Sequence, residues 1–501
     1  MRTPRTRSAR SARLLLTPLE DRTVPTAGLA VTFSGGILRV TDWRPGDTVA
    51  VHQMTSGVTL DAAGGHQTFA GVGRVLLDVQ GDARVTNDVS GLGGAAPREV
   101  YLSRRDATGT KFASTGDLAP GATSGPAAPV APTPPQPPVP TPSKKDWFDA
   151  AVSDLNLRSL TRSLAVDGSL GRSDWLQLFA EVGADGTVSS AEYHDLGDLL
   201  HTNRVTFSTT VGFTLPDAVR VLAGKVVDGD PANARYQGAA LGNLRAGSAA
   251  GQLQKLVGKW FLGTDHPQAA AGMTYRVVGG ALFVNGAAYA DVRQGQVGDC
   301  YFVAALAEIA KDSPQAIRQM FTDNGDGTFT VRFYHNGKTD YVTVDRALPT
   351  TSAGTAEYAS FGGRYDNGGN ELWVALAEKA YAQLNEAGWL GHAAANSYAA
   401  IDGGYSDLAI EHVTGVSSGW KWVQNATPTD LISAANSGRY TVLGSKQTAP
   451  GNGVIASHGY ALVGYNAATG RFTLYNPWGS TIALTWAQIQ QSFNGFWQAG
   501  L

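Results

Sequence analysis

Gln294-Gly295-Gln296-Val297-Gly298-Asp299-Cys300-Tyr301-Phe302-Val303-Ala304-Ala305-Leu306-Ala307 is the stretch whose reading decides the fold of the C-terminal half. Two glycines mark a loop, and the residues that follow Cys300 are almost wholly apolar. Such a run predicts a helix buried in a large domain, with Cys300 in its first turn and Pro314 as its stop. A thiol placed there meets unpaired N–H groups and the positive end of the helix dipole, and both favour the thiolate. Cys300 is the one cysteine in 501 residues. That excludes an intramolecular disulfide and any multi-cysteine zinc site, leaving a buried small hydrophobe or a reactive thiol. A structural cysteine would sit inside the helix among the alanines, and this one sits at its start.

A thiolate nucleophile needs a base and a group to hold that base. Ser457-His458-Gly459-Tyr460-Ala461-Leu462-Val463-Gly464-Tyr465 reads as a strand, Asn466 to Gly470 as a turn, and Arg471-Phe472-Thr473-Leu474-Tyr475-Asn476 as the returning strand. In an antiparallel hairpin centred near Ala468, His458 lies ten residues before the centre and Asn476 eight after it, which lets the two side chains meet. Asn476 would then accept from the imidazole and fix its tautomer, and Trp478 would cover that bond from water. His392 and His412 lack a partner at suitable spacing and carry no assignment.

Working outward, 501 residues exceed one compact core. The formal net charge is -3, and no basic footprint or charge block points to nucleic acid. No apolar run approaches the ~20 residues of a membrane span. Residues 1–28 form a basic, targeting-like segment with Arg2, Arg5, Arg7, Arg10 and Arg13, followed only by Leu14-Leu15-Leu16. Leu19 to Pro25 is similar to an N-terminal signature of large exported or surface proteins in some bacteria, so an exported or cell-surface location is expected over a cytoplasmic one. Residues 29–118 alternate short strands with glycine turns and predict a small all-β module with a weak repeat of no fixed period. Residues 119–145 turn to Pro, Ala and Thr and predict an extended linker.

Residues 146–263 read as a helical region around two Asp-Gly turns. Set against an EF-hand loop, the first offers Asp167 and Asp174 but has Ser163 and Ala165 at two ligand positions. The second offers Glu181, Asp185 and Glu192 with Gly183 in place of a third ligand. These are degenerate EF-hand-like or dockerin-like pairs, read as structural helix pairs without tight calcium. Asp323-Asn324-Gly325-Asp326-Gly327 reads as a turn into a strand.

From about Tyr289 onward the motifs together resemble the calpain family of papain-like cysteine proteases. Gln294 to Phe302 resembles its nucleophile motif and Asn476-Pro477-Trp478-Gly479 its asparagine motif. Glu371-Leu372-Trp373-Val374-Ala375-Leu376-Ala377-Glu378-Lys379-Ala380-Tyr381 resembles its supporting helix. Val344-Asp345-Arg346-Ala347-Leu348-Pro349 resembles its Asp-Arg-Leu-Pro turn with Ala347 inserted. The resemblance implies an α+β papain-like (calpain-type) domain at 264–501, with the catalytic residues Cys300, His458 and Asn476. It implies Gln294 as the side-chain donor of the oxyanion hole beside the backbone N–H of Cys300, and a thioester acyl-enzyme formed on protein or peptide substrates. Gly459 departs from the family's usual alanine and is expected to loosen the wall beside His458.

The family is commonly gated by calcium, and Asp291 and Glu371 occupy acidic ligand positions of its first site. After Asn476-Pro477-Trp478-Gly479 the chain reads Ser480-Thr481-Ile482-Ala483-Leu484-Thr485 with no acid, so one calcium is expected in the protease core. Two other readings stay open. One is a surface or assembly protein whose N-terminal modules bind partners, with the protease fold as processing machinery or silent scaffold. The other is a papain-fold acyltransferase.

Overall fold

The computed structural model describes residues 146–202 and 212–500 and, before them, the strands between Val24 and Ala113. The chain divides into two compact units, Met1–Thr141 and Pro142–Leu501.

In the first unit the described strands form two sheets. One orders Val24–Thr26, Leu29–Ser34, Ile37–Thr41, Arg74–Gln80, Glu99–Asp106 and Gly109–Ala113; the other orders Gly65–Ala70, Gly57–Ala62, Thr48–Met54 and Arg84–Gly91. The strands begin at Val24 rather than Leu29. Several neighbours run parallel, with Ile37 opposite Arg74, Arg74 opposite Glu99, and Thr48 opposite Arg84. The steps between these strands are unequal, which is why the repeat has no fixed period in the sequence. The basic segment before Val24 and the linker at 119–145 lie outside the described residues.

Among the described residues the second unit opens with six α-helices: Trp147–Ala151, Leu155–Leu164, Arg172–Val182, Ser190–His201, Asp217–Val227 and Ala250–Trp260. Their starts follow from capping chemistry. Asp146 pairs reciprocally with Asp149, and Ser189 with Glu192, so N–H groups without a helical partner are satisfied. Trp175, Phe179, Leu196, Leu222, Leu253 and Trp260 meet in their own core. The acids of the two Asp-Gly loops are taken up locally. Asp167 and Asp185 each accept a backbone N–H two residues on, while Asp174 and Glu192 cap the following helices.

This helical region joins the residues after it through charge pairs, most of them buried. Lys259, fully buried, reaches Asp265 at 2.6 Å and Glu386 at 2.5 Å. Lys225 pairs with Asp340 at 2.6 Å and Arg172 with Asp326 at 2.8 Å. The turn at 323–327 therefore enters strand Thr328–His335, as read from the sequence, and its Asp326 carries a cross-link.

The C-terminal part has two halves. The first is built on helix Cys300–Asp312, with every residue from Tyr301 to Ala310 buried. Pro314 stops that helix by starting the next, Pro314–Met320. Helix Trp373–Leu384, buried along its whole length, lies against it, and Phe302 stacks on Tyr381 with ring centroids 3.8 Å apart. A three-stranded antiparallel sheet of Phe321–Asp323, Thr328–His335 and Lys338–Asp345 flanks them. The second half is a six-stranded antiparallel sheet in the order Ser418–Trp422, Phe493–Ala499, Thr441–Ser445, Gly459–Asn466, Arg471–Asn476, Ser480–Thr485. It encloses a separate core around Leu443, Tyr460, Leu462 and Phe472. The architecture is mixed α+β, and the first turn of the Cys300 helix abuts strand Gly459–Asn466 where the halves meet.

Candidate active site

The loop that carries Cys300 is tied to both sides. Gln296 N–H donates to Glu357 O at 3.0 Å in the first half, and Gln294 N–H to Pro477 O at 2.9 Å in the second. A Cβ at Gly295 would collide with the Tyr358 carbonyl, so only glycine permits this path. The carbonyl of Asp299 then accepts the N–H groups of Phe302 and Val303, starting the helix at Cys300. Tyr475 Oη donates to Val292 O at 2.7 Å, a second tie between the halves.

Gly459 bears on one expectation. Its backbone N–H faces the Cys300 thiol and acts to lower the thiol's pKa, and a Cβ at this position would stand 3.1 Å from the Cys300 carbonyl oxygen. The missing methyl leaves room for the close approach of the two halves at this point. Burial of the thiol bears on another. Burial pushes the Cys300 thiol above its ordinary range, and the charge of Asp299 adds to that. The Gly459 N–H opposes the shift without overcoming it. Burial likewise lowers the affinity of His458 for a proton, against the pull of Asn476. Burial therefore disfavours the charged forms of both the thiol and the imidazole, and so acts against the pull of the helix terminus on the thiol.

His458 Nε2 lies 2.9 Å from Asn476 Oδ1, both residues being buried. The strand register accounts for the meeting. Ala461 pairs with Tyr475, and a bulge at Val463 absorbs one residue of the longer arm. Asn476 Oδ1 also accepts the backbone N–H of Trp478 at 2.9 Å. A backbone N–H can only donate, so it holds the amide oxygen toward His458 and assigns the hydrogen to Nε2. Nδ1 is left as the basic nitrogen. The Trp478 ring lies over the imidazole with centroids 4.9 Å apart, while remaining 54% exposed itself.

Gln294 is at the site but not free. Its Nε2 donates to Val297 O at 2.8 Å and to Asp299 Oδ1 at 3.2 Å, and its buried Oε1 finds no donor among the described residues. Asp291 Oδ2 accepts from Ala288 N–H at 2.6 Å and Trp373 Nε1 at 3.2 Å. Glu371 Oε1 accepts from Val284 N–H at 2.6 Å. Burial raises both carboxyls, and the charge of Asp291 raises Glu371 further. Two adjacent, mutually repelling carboxylates fit a hard divalent cation. No group of three or more His, Cys, Asp or Glu suited to a metal occurs among the described residues, so further ligands would have to be backbone oxygens or water.

Residues 276–495 match the model of the calpain family cysteine protease. This segment is a calpain-family protease domain. The match begins at 276, ahead of the Tyr289 at which the motifs first become readable. Calpain clp-4 of Caenorhabditis elegans is 30% identical over 242 residues, which are 44% of this chain and 30% of that protein. Calpain-B of Drosophila melanogaster is 36% identical over 152 residues, 29% of this chain and 15% of its own length. The calpain-1 catalytic subunit of Mus musculus is 34% identical over 155 residues, 30% of this chain and 19% of its own. The chain thus spans less than a third of each of these relatives.

Within the calpain-family domain, two features escaped sequence reading. Asp299 and Glu378, quoted only as parts of motifs, meet beneath Cys300. His412, left unassigned, is buried between Tyr381 Oη at 3.0 Å and His335 Nδ1 at 3.3 Å. Burial takes its pKa down to about 3, which keeps it neutral and structural. No local pattern signals either feature, because the partners lie far apart in the chain.

Proposed function

We propose that the calpain-family domain is a cysteine endopeptidase in which Cys300 is the nucleophile, His458 the base and Asn476 the group that orients the base. The observation that supports this reading is the doubly accepting Asn476 Oδ1, which leaves His458 Nδ1 basic, while the next residue, Gly459, packs against Cys300 at the helix start. His458 Nδ1 takes the thiol proton as Sγ attacks the substrate carbonyl carbon. Asn476 Oδ1 then stabilises the imidazolium through Nε2–H, under the Trp478 ring. The carbonyl oxygen becomes an oxyanion, held by the backbone N–H of Cys300 and by a Gln294 N–H that exchanges one of its resting partners. His458 returns the proton to the leaving amine, the C–N bond breaks, and a thioester remains. Water, deprotonated by His458, hydrolyses it and regenerates the thiol.

Calcium stimulation is the finer part of the proposal, with Asp291 and Glu371 as the protein ligands. Calcium, when bound there, supplies positive charge that relieves the repulsion of the two carboxylates and ties the 284–291 loop to the start of helix Trp373–Leu384.

The test is casein cleavage by the full chain under reducing conditions, with calcium or chelator, beside Cys300→Ala. Cleavage that requires Cys300 and rises with calcium is the expected result. Cys300-dependent cleavage indifferent to chelator removes the calcium part. Loss of no activity in Cys300→Ala overturns the assignment of the nucleophile, and inactivity of the folded wild type overturns the endopeptidase reading.

A further inference from the structure

Beneath Cys300 lie two carboxyl groups that the mechanism above does not use. Asp299 ends the loop before the Cys300 helix, and Glu378 lies within helix Trp373–Leu384. Their exposures are 0% and 1%. Each has one oxygen with a donor: Asp299 Oδ1 takes the Gln294 amide at 3.2 Å, and Glu378 Oε2 takes the Ala359 N–H at 2.9 Å. The other two oxygens, Asp299 Oδ2 and Glu378 Oε1, have no donor among the described residues, yet the two side chains are within hydrogen-bonding reach of each other. Two carboxylate oxygens are both acceptors and cannot bond without a hydrogen between them. No Lys, Arg or His forms an ion pair with either carboxyl among the described residues. The titratable groups acting on the pair are Asp402, Cys300, Tyr301 and Tyr381 on the Asp299 side, and Tyr358 and Tyr398 on the Glu378 side. None of these is a cation. Two ionised carboxylates buried together without a counter-charge are not sustainable.

We propose that Asp299 and Glu378 share one proton in the folded protein and that the pair positions Gln294, the oxyanion donor of the reading above, on which this inference rests. Glu378 is the main holder of the proton, because burial and the neighbouring Asp299 both push its carboxyl well above the ordinary range. Asp299 keeps the residual charge, with its own pKa pushed up to about 7 by burial. That charge is what Gln294 feels. Among the described residues its amide oxygen has no partner, and Val297 O and Asp299 Oδ1 orient the group. The Val297 bond is short and the Asp299 bond long, so the carboxyl steers the amide while leaving that N–H the easier one to give up to a substrate oxyanion.

The test uses the full chain as wild type, Asp299→Asn and Glu378→Gln, followed by infrared difference spectroscopy between about pH 5 and about pH 9. The wild type is expected to show a protonated-carboxyl band that loses part of its intensity near neutral pH, as Asp299 ionises, and keeps the part due to the shared proton. Both variants should lack it, because each new amide supplies the hydrogen that the pair otherwise shares. A wild type with no such band, or a band that survives in either variant, overturns the shared proton. Steady-state kinetics then test the positioning role. Asp299→Ala should lower kcat by about tenfold to a hundredfold with KM within about threefold, and Asp299→Asn, which still offers an oxygen to Gln294, should restore most of the loss. Cys300 alkylation by iodoacetamide should not fall in any of the three variants, and should rise where the Asp299 charge that pushes the thiol up is removed. No rescue by asparagine, or a matching loss of alkylation, overturns positioning. If the wild type cleaves no casein, the endopeptidase reading fails by itself, and the infrared arm still decides the shared proton.

Discussion

Asn476 Oδ1 accepts from His458 Nε2 and from the backbone N–H of Trp478, and the second bond makes the first directional. An amide held by a side chain alone can turn over and present its NH₂ to the ring. Held by a backbone donor, it presents oxygen, and the imidazole keeps its hydrogen on Nε2. Removing the amide therefore frees the tautomer and the ring together. Asn476→Ala is expected to lower kcat by roughly tenfold to a hundredfold, about 1.4–2.7 kcal/mol of barrier, with little change in KM. Steady-state kinetics on one peptide substrate check this. A rise in KM at constant kcat would instead place Asn476 in substrate binding.

The Cys300 helix does more than present a thiol. Glu308, two turns on and fully buried, accepts the Thr441 N–H at 3.2 Å through Oε1 and so pins a strand of the second half to a helix of the first. Its Oε2 has no donor among the described residues, and burial raises its pKa well above the ordinary value, with Asp312 adding to the shift. A carboxyl raised in the folded state binds more protons there than in the unfolded chain, so its contribution is present below about pH 4.5 and lost as pH rises. Glu308→Gln keeps the acceptor and removes the titration. Relative to wild type, the variant should gain stability steadily between about pH 5 and about pH 8, read from urea midpoints. A gap independent of pH would show that Glu308 is not the titrating group. The same helix explains the family motif physically. An apolar run from Tyr301 to Ala307 fills the space between helix Trp373–Leu384 and strand Gly459–Asn466, so neither half has a complete wall without it.

At the scale of the molecule, the six helices before residue 264 are part of the body that holds the site. Lys259 lies at the centre of that junction, inserted between Asp265 and Glu386 with no exposure. Breaking such a set leaves buried acids without a counter-charge. Lys259→Ala is expected to destabilise the protein by about 3–5 kcal/mol. It follows that residues 264–501 expressed alone should melt well below a chain beginning at 146, since they lose Lys259, Lys225 and Arg172 together. Differential scanning calorimetry of the two fragments decides the point; equal melting temperatures would mean that the protease folds independently of the helices.

The amino-acid sequence by itself determined what depends on neighbours along the chain. Helix Cys300–Asp312 starts after a glycine loop and stops at Pro314 because glycine, apolar periodicity and proline act locally. The hairpin that brings His458 to Asn476 is local too, since its turn sets the register of both arms. The apolar run after Glu371 likewise reads as a buried helix before any partner is known. Only the tertiary structure decided the rest. The pairing of Asp299 with Glu378, of Lys259 with Glu386, and of Tyr475 with Val292 joins residues from distant elements. Which partner Gln294 holds at rest depends on where Val297 and Asp299 come to lie. The state of the Cys300 thiol was read as thiolate from its place at a helix start, yet burial, a property of the whole packed domain, pushes the other way. Desolvation is set by everything that surrounds a group, and no window of sequence contains its surroundings.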